Sequence, residues 1–387
     1  MALSNLTKWL QQTDTRLQRR VNSGRSVLVN ARTAMNYSVI APIHRAVQDQ
    51  RVSFFFTASE QPASAKTIYR EIADPIKVIS PARASLMKFG AYLAADMLWV
   101  TLPRGTRRIQ MFHGVAGKYS SVYDTPDRSM REWDRLFFIN RRRMENYIRV
   151  GAIDADSQAA RLVGYPKLDC LVDGTLSRDE VLNELGIDPS SRTVLYAPTW
   201  SPYSSLNAMG EELVTKLVAA GYSVIVKLHD RSRDLEYKHS GGVDWAERLE
   251  PILRSGGGWL ADRSDACPYL AAADVLITDH SSVGFEYLLL DRPIIRIEMS
   301  ELIANTDINP DYVELLLEAS VSVRNVEETL TAVEKSFCDS RSLSQSRRAV
   351  AEELFYQPGT ATERAVRELY DVMELDPPEA DLSARFT

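Results

Sequence analysis

The sequence predicts an α/β chain of two doubly wound, Rossmann-like domains, and three observations carry that expectation. From residue 27 onward short β-rich runs alternate with helical stretches, the pattern of βαβ units laid on a parallel sheet. A second series of the same kind begins at Thr193, after the turn-like segment IDPSSR at residues 187–192. The 387 residues suffice for two such domains, each of roughly 100–200 residues.

In the first series the candidate strands are Val27–Asn30, Val52–Phe56, Met97–Thr101, Arg108–Phe112, Leu136–Ile139 and Arg161–Val163. Helices are expected over Ser38–Asp49 and Asn140–Val150. Near residue 175 a boundary follows. Ser177 and Glu180 stand at capping-box spacing, and Gly186 can stop the helix they start. The second series offers the strand TVLYAPTW from Thr193, a helix over Glu211–Ala220 closed by Gly221, and a strand over Tyr222–Leu228. Further on come strands Val275–Thr278 and Ile294–Glu298, flanking a helix at about 282–290. The expected partition is a basic amphipathic helix at 1–26, domains at 27–176 and 177–360, a helix at 361–376 and a loose tail at 377–387.

Composition narrows the partners. The 46 Lys and Arg against 52 Asp and Glu give a net charge of −6, the wrong sign for a whole-molecule surface built for duplex nucleic acid. Cys170, Cys267 and Cys338 lie far apart, so neither a disulfide framework nor a zinc knuckle is expected, and a reducing cytoplasm is the natural compartment. No apolar run approaches the ~20 residues of a membrane span, and the N-terminus lacks the pattern of a secretory signal. Within residues 1–26, Leu3, Leu6, Leu10, Leu17 and Val21 fall near one helical face, with Lys8, Arg16, Arg19, Arg20 and Arg25 as cations. Two readings stand for this segment: peripheral contact with an anionic membrane, or packing on its own domain.

Doubly wound sheets bind ligands beyond the carboxyl ends of their strands, and the chemistry-bearing residues fall there. His113 follows the strand Arg108–Phe112, with Gly114 to turn the chain and Lys118 to add charge. It reads either as a general base or as a structural histidine in a tight turn. Thr199 and Trp200 leave the strand VLYAP, offering a hydroxyl for phosphate oxygens and an aromatic wall, or simply loop packing. His229 and Arg231 follow another strand and suit a diphosphate, with a surface turn as the alternative. In TDHSSVGFE, residues 278–286, a strand ends at Asp279 and His280, Ser281 and Ser282 lead into a helix whose N-terminus would attract phosphate. Glu286 lies one helical turn on, within reach of ribose hydroxyls; plain N-capping explains the serines equally. Asp154 and Asp156 form a D-x-D pair, read mainly as capping residues and secondarily as a metal site.

With these loops in order, the chain resembles the CDP-glycerol glycerophosphotransferases that build teichoic-acid-like polymers. The likeness rests on His113–Gly114, GYPKLD at 164–169, VLYAPTW at 194–200, the loop at His229, TDHSSVGFEYLLLDRPII at 278–295 and FYQPGTATER at 355–364. It implies a two-domain GT-B-type fold, an N-terminal acceptor domain, a C-terminal nucleotide-donor domain facing it across a cleft, and no bound metal or other cofactor. By position it implies His113 as catalytic base and His229 near the donor phosphates. It further implies His280, Ser281 and Ser282 as the diphosphate loop, with Gly359 and Thr360 near the nucleotide. The implied reaction moves glycerol phosphate from CDP-glycerol to a lipid-linked or polymeric acceptor, releasing CMP at the inner face of the plasma membrane. Departures from the family pattern at KLHDR and His280 keep two alternatives open: a UDP-sugar transferase or UDP-N-acetylglucosamine 2-epimerase relative, and a non-catalytic nucleotide-binding subunit.

Overall fold

The computed structural model describes residues 25–72, 75–118 and 128–378, and the chain packs as two units. The first is built from the chain up to His113, the stretch ending at Asp169 and the stretch resuming at Phe355. The second takes the residues directly after His113 together with Cys170–Leu354. The boundary expected at 176/177 thus falls after Asp169, and residues 355–360 leave the second domain for the first.

In the first unit the strands are β1 (Ser26–Asn30), β2 (Ser53–Thr57), β3 (Lys77–Val78), β4 (Ala91–Ala95), β5 (Arg107–Met111), β6 (Arg135–Phe138) and β7 (Ala160–Leu162). They form one parallel sheet in the order β3-β2-β1-β4-β5-β6-β7. The central strands β1 and β4 are buried at every position, as a parallel strand covered on both faces must be. The winding reverses between β1 and β4, so this sheet's switch point lies at their carboxyl ends. The helix Ala34–Ala46 starts ahead of the expected Ser38 because Thr33 and Asn36 form a reciprocal capping box, with Asn in the place usually held by Glu or Gln.

One expected strand is corrected. Met97–Thr101 forms no strand of the sheet; the strand is Ala91–Ala95, ended by Asp96 and Met97, whose φ values of 59° and 58° lie in the left-handed region. By residue type MLWVT is the better strand and AYLAA the poorer one. The alanine run occupies the sheet because both of its faces are packed, where small side chains fit. Trp99 is instead 44% exposed, with the Arg108 guanidinium 3.8 Å from its ring.

The second unit carries β8 (Thr193–Tyr196), β9 (Ser223–Val226), β10 (Trp259–Leu260), β11 (Val275–Thr278), β12 (Ile294–Ile297) and β13 (Val321–Val323). Its parallel order, β10-β9-β8-β11-β12-β13, repeats the winding of the first sheet, with the switch point between β8 and β11. Val194, Val224, Ile277 and Ile295 of the sheet pack with Leu213 and Leu217 of the helix Ser205–Ala219, which starts well before the expected Glu211. The helix expected at 282–290 divides into Val283–Tyr287 and a 3-10 turn, Leu288–Leu290, and Asp291 ends it at φ 49°. Arg347, 1% exposed, grips the Asp291 carboxylate at 3.0 Å.

The late helix Ala361–Val372 belongs to the first unit, and GYPKLD explains how. Asp169 accepts hydrogen bonds from the backbone N–H groups of Gly359 (2.8 Å), Ala361 (3.1 Å) and Thr362 (2.6 Å), capping that helix from far along the chain. Gly164 is required where it stands: a Cβ there would meet the Tyr356 carbonyl oxygen at 2.6 Å. Glu368 then pairs with Arg135 and Arg161 at the rim of the sheet. Of the expected basic helix, residues 1–24 fall outside the described residues, as do 379–387 of the expected tail. Among the described residues no helix is long and apolar enough to cross a membrane.

Candidate functional site

The first unit places one reactive constellation at its switch point. His113 follows β5, and Asp96 follows the neighbouring strand β4. The His113 Nδ1 contacts the Asp96 carboxylate, with the histidine side chain 43% exposed and the aspartate 21%. The second carboxylate oxygen of Asp96 accepts a hydrogen bond from the Asn36 amide at 2.6 Å. The turn that aims Asp96 is held by buried Gln110, whose amide oxygen accepts the Met97 N–H at 2.9 Å. Burial alone would raise the Asp96 carboxyl, but the adjoining His113, the Asn36 donor and the Arg143 charge outweigh it and hold the carboxyl below its ordinary range. Sequence reasoning missed Asp96 because it missed β4; an acidic residue closing the short apolar run YLAA was the available signal.

The second unit assembles a different kind of surface around the ends of β8, β9 and β11. Gly114 begins its first segment at φ +80°, a left-handed conformation that suits glycine and turns the chain away from His113. Lys118, half-buried, donates to the Thr199 hydroxyl at 2.9 Å. Loss of hydration lowers its ammonium to about 8, against the pull of the Asp279 charge. Asp279 is 0% exposed and locks two loops together. One oxygen accepts the Thr199 N–H at 2.8 Å, and the other accepts the N–H (3.1 Å) and hydroxyl (2.9 Å) of Ser205. Beside these, Arg231 stacks its guanidinium 4.3 Å from the Trp200 ring, and the His229 ring lies 6.1 Å from it. The Arg231 backbone N–H donates to His229 Nδ1 at 3.1 Å, so the neutral imidazole carries its proton on Nε2 and presents a donor there. Ser281 and Ser282, both half-buried, follow Asp279 and His280 at the end of β11. A pocket of about 290 Å³ opens in this unit, lined by Lys118, Trp200, Tyr203, Tyr237, Leu302 and Thr306 among others. Hydroxyls, a lysine, an arginine and an aromatic wall together suit a phosphorylated ligand with a planar or polyol portion.

Four expected ligand contacts are corrected. His280 is 0% exposed, and both ring nitrogens are buried without a hydrogen-bond partner among the described residues. It therefore faces the interior and not a diphosphate; burial, with Arg296 and Lys118 nearby, pushes it down to about 4 despite the Asp279 charge. Glu286 is also buried, at 4% exposure, which leaves little surface for a ribose. Gly359 and Thr360 lie in the first unit, the Gly359 N–H committed to Asp169 and the Thr360 hydroxyl accepting from Arg364 at 2.7 Å. Asp154 of the D-x-D pair is engaged by Arg131 at 2.9 Å.

His280 carries a prediction about pH. The unfolded chain takes up the proton near the ordinary value of 6.5 while the folded chain resists it until about 4, so folding stability falls as pH drops through that window. A His280→Phe variant is expected to flatten that part of the curve of urea midpoint against pH. A slope identical to the parent's would remove His280 as its source.

The comparisons agree with this architecture. The CDP-glycerol:poly(glycerophosphate) glycerophosphotransferase model matches residues 30–371. The teichoic acid poly(glycerol phosphate) polymerase of Bacillus spizizenii is 25% identical over 222 residues, covering 51% of this chain and 53% of that one. The teichoic acid glycerol-phosphate primase of the same organism is 27% identical over 137 residues, covering 34% and 32%. The chain therefore spans about half the length of the first of these relatives, and less of the second. Among solved structures, the wall teichoic acid polymerase TagF superposes with a TM-score of 0.70 at 15% identity, covering 97% of this chain and 98% of that one. The Methanocaldococcus jannaschii UDP-GlcNAc 2-epimerase gives 0.51 at 16%, covering 89% and 99%. At these identities the structures share the fold, two Rossmann-like units of the GT-B kind, as the sequence led one to expect. The family match over nearly the whole described chain settles membership: this chain belongs to the CDP-glycerol:poly(glycerophosphate) glycerophosphotransferase family.

Proposed function

We propose that the chain transfers glycerol phosphate from CDP-glycerol to a hydroxyl of a lipid-linked or polymeric polyol phosphate, releasing CMP. The observation that carries this reading is the family match over residues 30–371, which includes every loop that brings charge or hydroxyls to a strand end. The relatives named as a polymerase and a primase of teichoic acid, and a TagF variant soaked with CDPG, support the same chemistry.

The division of labour follows from the residues. Phosphoryl transfer needs little covalent help from the protein; it needs positioning and neutralisation of charge on the transferring group. In the second unit Thr199, Ser281, Ser282, the Nε2–H of His229, Arg231 and Lys118 supply hydroxyl and cationic donors to the diphosphate, and Trp200 supplies a wall. In the first unit His113 accepts the proton of the attacking hydroxyl. A lipid-linked acceptor would give residues 1–26 a reason to be basic and amphipathic, at a membrane surface.

Calorimetric titration tests the donor half. Tight binding of CDP-glycerol and CMP, weak binding of UDP and UDP-N-acetylglucosamine, and a loss of about tenfold or more in affinity in a Ser281→Ala, Ser282→Ala double variant are expected, two charge-assisted hydrogen bonds being at stake. A preference for the uridine ligands would move the protein to the sugar-nucleotide enzymes of the same fold.

A further inference from the structure

Resting on that reading, we propose that Asp96 is the positioning residue of His113, and that Asn36, Asp96 and His113 form a relay that fixes the imidazole in the tautomer with its proton on Nδ1. The relay is assembled by three strand ends or loops of one unit: Asn36 in the first turn of the helix after β1, Asp96 after β4 and His113 after β5. Each carboxylate oxygen of Asp96 has its own partner, His113 Nδ1 on one side and the Asn36 amide at 2.6 Å on the other. A carboxylate accepts hydrogen bonds and cannot donate them, so the contact requires the histidine to be the donor at Nδ1. The basic lone pair is then left on Nε2.

The backbone points the same way. Asp96 and Met97 are consecutive non-glycine residues at positive φ, a costly conformation that persists only where the surroundings impose it. Gln110 imposes it, buried at 0% exposure and accepting the Met97 N–H, while its own amide donates to the Met111 carbonyl at 2.6 Å. Without that turn β4 would run on and carry Asp96 away from His113. Asn36 is held in turn by its part in the Thr33 capping box.

In the transfer step the acceptor oxygen forms a bond to the phosphorus that bears glycerol, and the bond from that phosphorus to the oxygen bridging to CMP breaks. CMP leaves with the electron pair, and the hydroxyl proton passes to Nε2 of His113. The imidazolium so formed is stabilised by Asp96, which stays ionised, and it returns its proton to solvent before the next turnover. Asp96 touches no reacting atom; it acts through His113.

Two measurements test this. In protein carrying ¹⁵N-histidine, whose five histidines are assigned by single replacement, the neutral His113 ring is expected to show its proton on Nδ1. A ring protonated on Nε2 overturns the relay, and this result needs no turnover, so it stands even if CDP-glycerol proves not to be the donor. In the rate assay Asp96→Asn is expected to lower kcat by about 10²-fold or more, as loss of the orienting carboxylate does in other histidine bases, with KM for CDP-glycerol changed by less than about threefold. A kcat close to the parent's, or kcat and KM degraded together, would show that Asp96 only shapes the turn. Should Asp96→Asn fail to fold, Asn36→Ala leaves the Asp96–His113 contact in place and is expected to cost kcat alone; an unchanged kcat overturns the three-residue relay.

Discussion

Replacing His113 with alanine is expected to lower kcat by about 10²–10⁴-fold, the usual contribution of a positioned general base, while CDP-glycerol binds as before. The split follows from where the residue sits. His113 follows β5 in the first unit, engaged only through Nδ1 and its backbone in the contacts described, whereas the proposed phosphate donors Thr199, His229, Arg231, Ser281 and Ser282 all belong to the second. Nothing that holds the donor should feel its loss. The fold should not feel it either, since the side chain is 43% exposed and caps none of the described helices. Turnover is read as CMP release, and donor affinity by calorimetry on the same preparation. Parallel loss of binding and turnover would place His113 in the donor site and remove it as the base.

Asp279 is the residue whose loss should most damage the structure itself. Its carboxylate is wholly buried and accepts three hydrogen bonds, from the Thr199 N–H and from the N–H and hydroxyl of Ser205. These bonds tie the end of β11 to the loop after β8 and to the start of the helix Ser205–Ala219. Asp279→Ala would orphan the Thr199 and Ser205 N–H groups in a site closed to water, where each unpaired group costs on the order of 1–3 kcal/mol. The Ser205 hydroxyl keeps the Tyr196 hydroxyl as a partner at 2.9 Å. The expected loss of stability is about 3–5 kcal/mol, read as a lower urea midpoint. Asp279→Asn, which keeps one carbonyl acceptor, should lie between that variant and the parent. Because Asp279 holds the Thr199 N–H and stands two residues before Ser281, CDP-glycerol affinity should fall as well. A loss below about 1 kcal/mol would mean that water or rearrangement satisfies the freed groups.

Much of the fold could be read from residue patterns, because its strands are buried βαβ strands and announce themselves as short apolar runs between turns. β1, β5 and β11 lie within a residue or two of their expected ends, whereas β8 stops at Tyr196, four residues short of the expected Trp200. His113 and Ser281 come just beyond strand ends as read, and Thr199 lies in the loop after β8. The failure at β4 shows the limit of residue type as a guide. AYLAA has little β preference of its own, and it is a strand because the packing on both faces of a central position admits small side chains. The loss was functional as well as structural, since Asp96 follows that strand. His280 shows a second limit: the loop was legible, but which of its side chains turns inward depends on the local chain path. Gly359 and Thr360 show a third. Asp169 draws them into the first unit through backbone N–H groups, which leave no trace in side-chain patterns.

The most direct test of the transferase reading is ³¹P NMR of the full chain with CDP-glycerol and a short poly(glycerol phosphate) acceptor, run beside UDP-N-acetylglucosamine with the same acceptor. CMP and new phosphodiester signals are expected to rise together, one for one, from CDP-glycerol alone. Release of UDP, conversion of the sugar nucleotide, or tight binding of CDP-glycerol with no CMP formed in the presence of acceptor would contradict that reading.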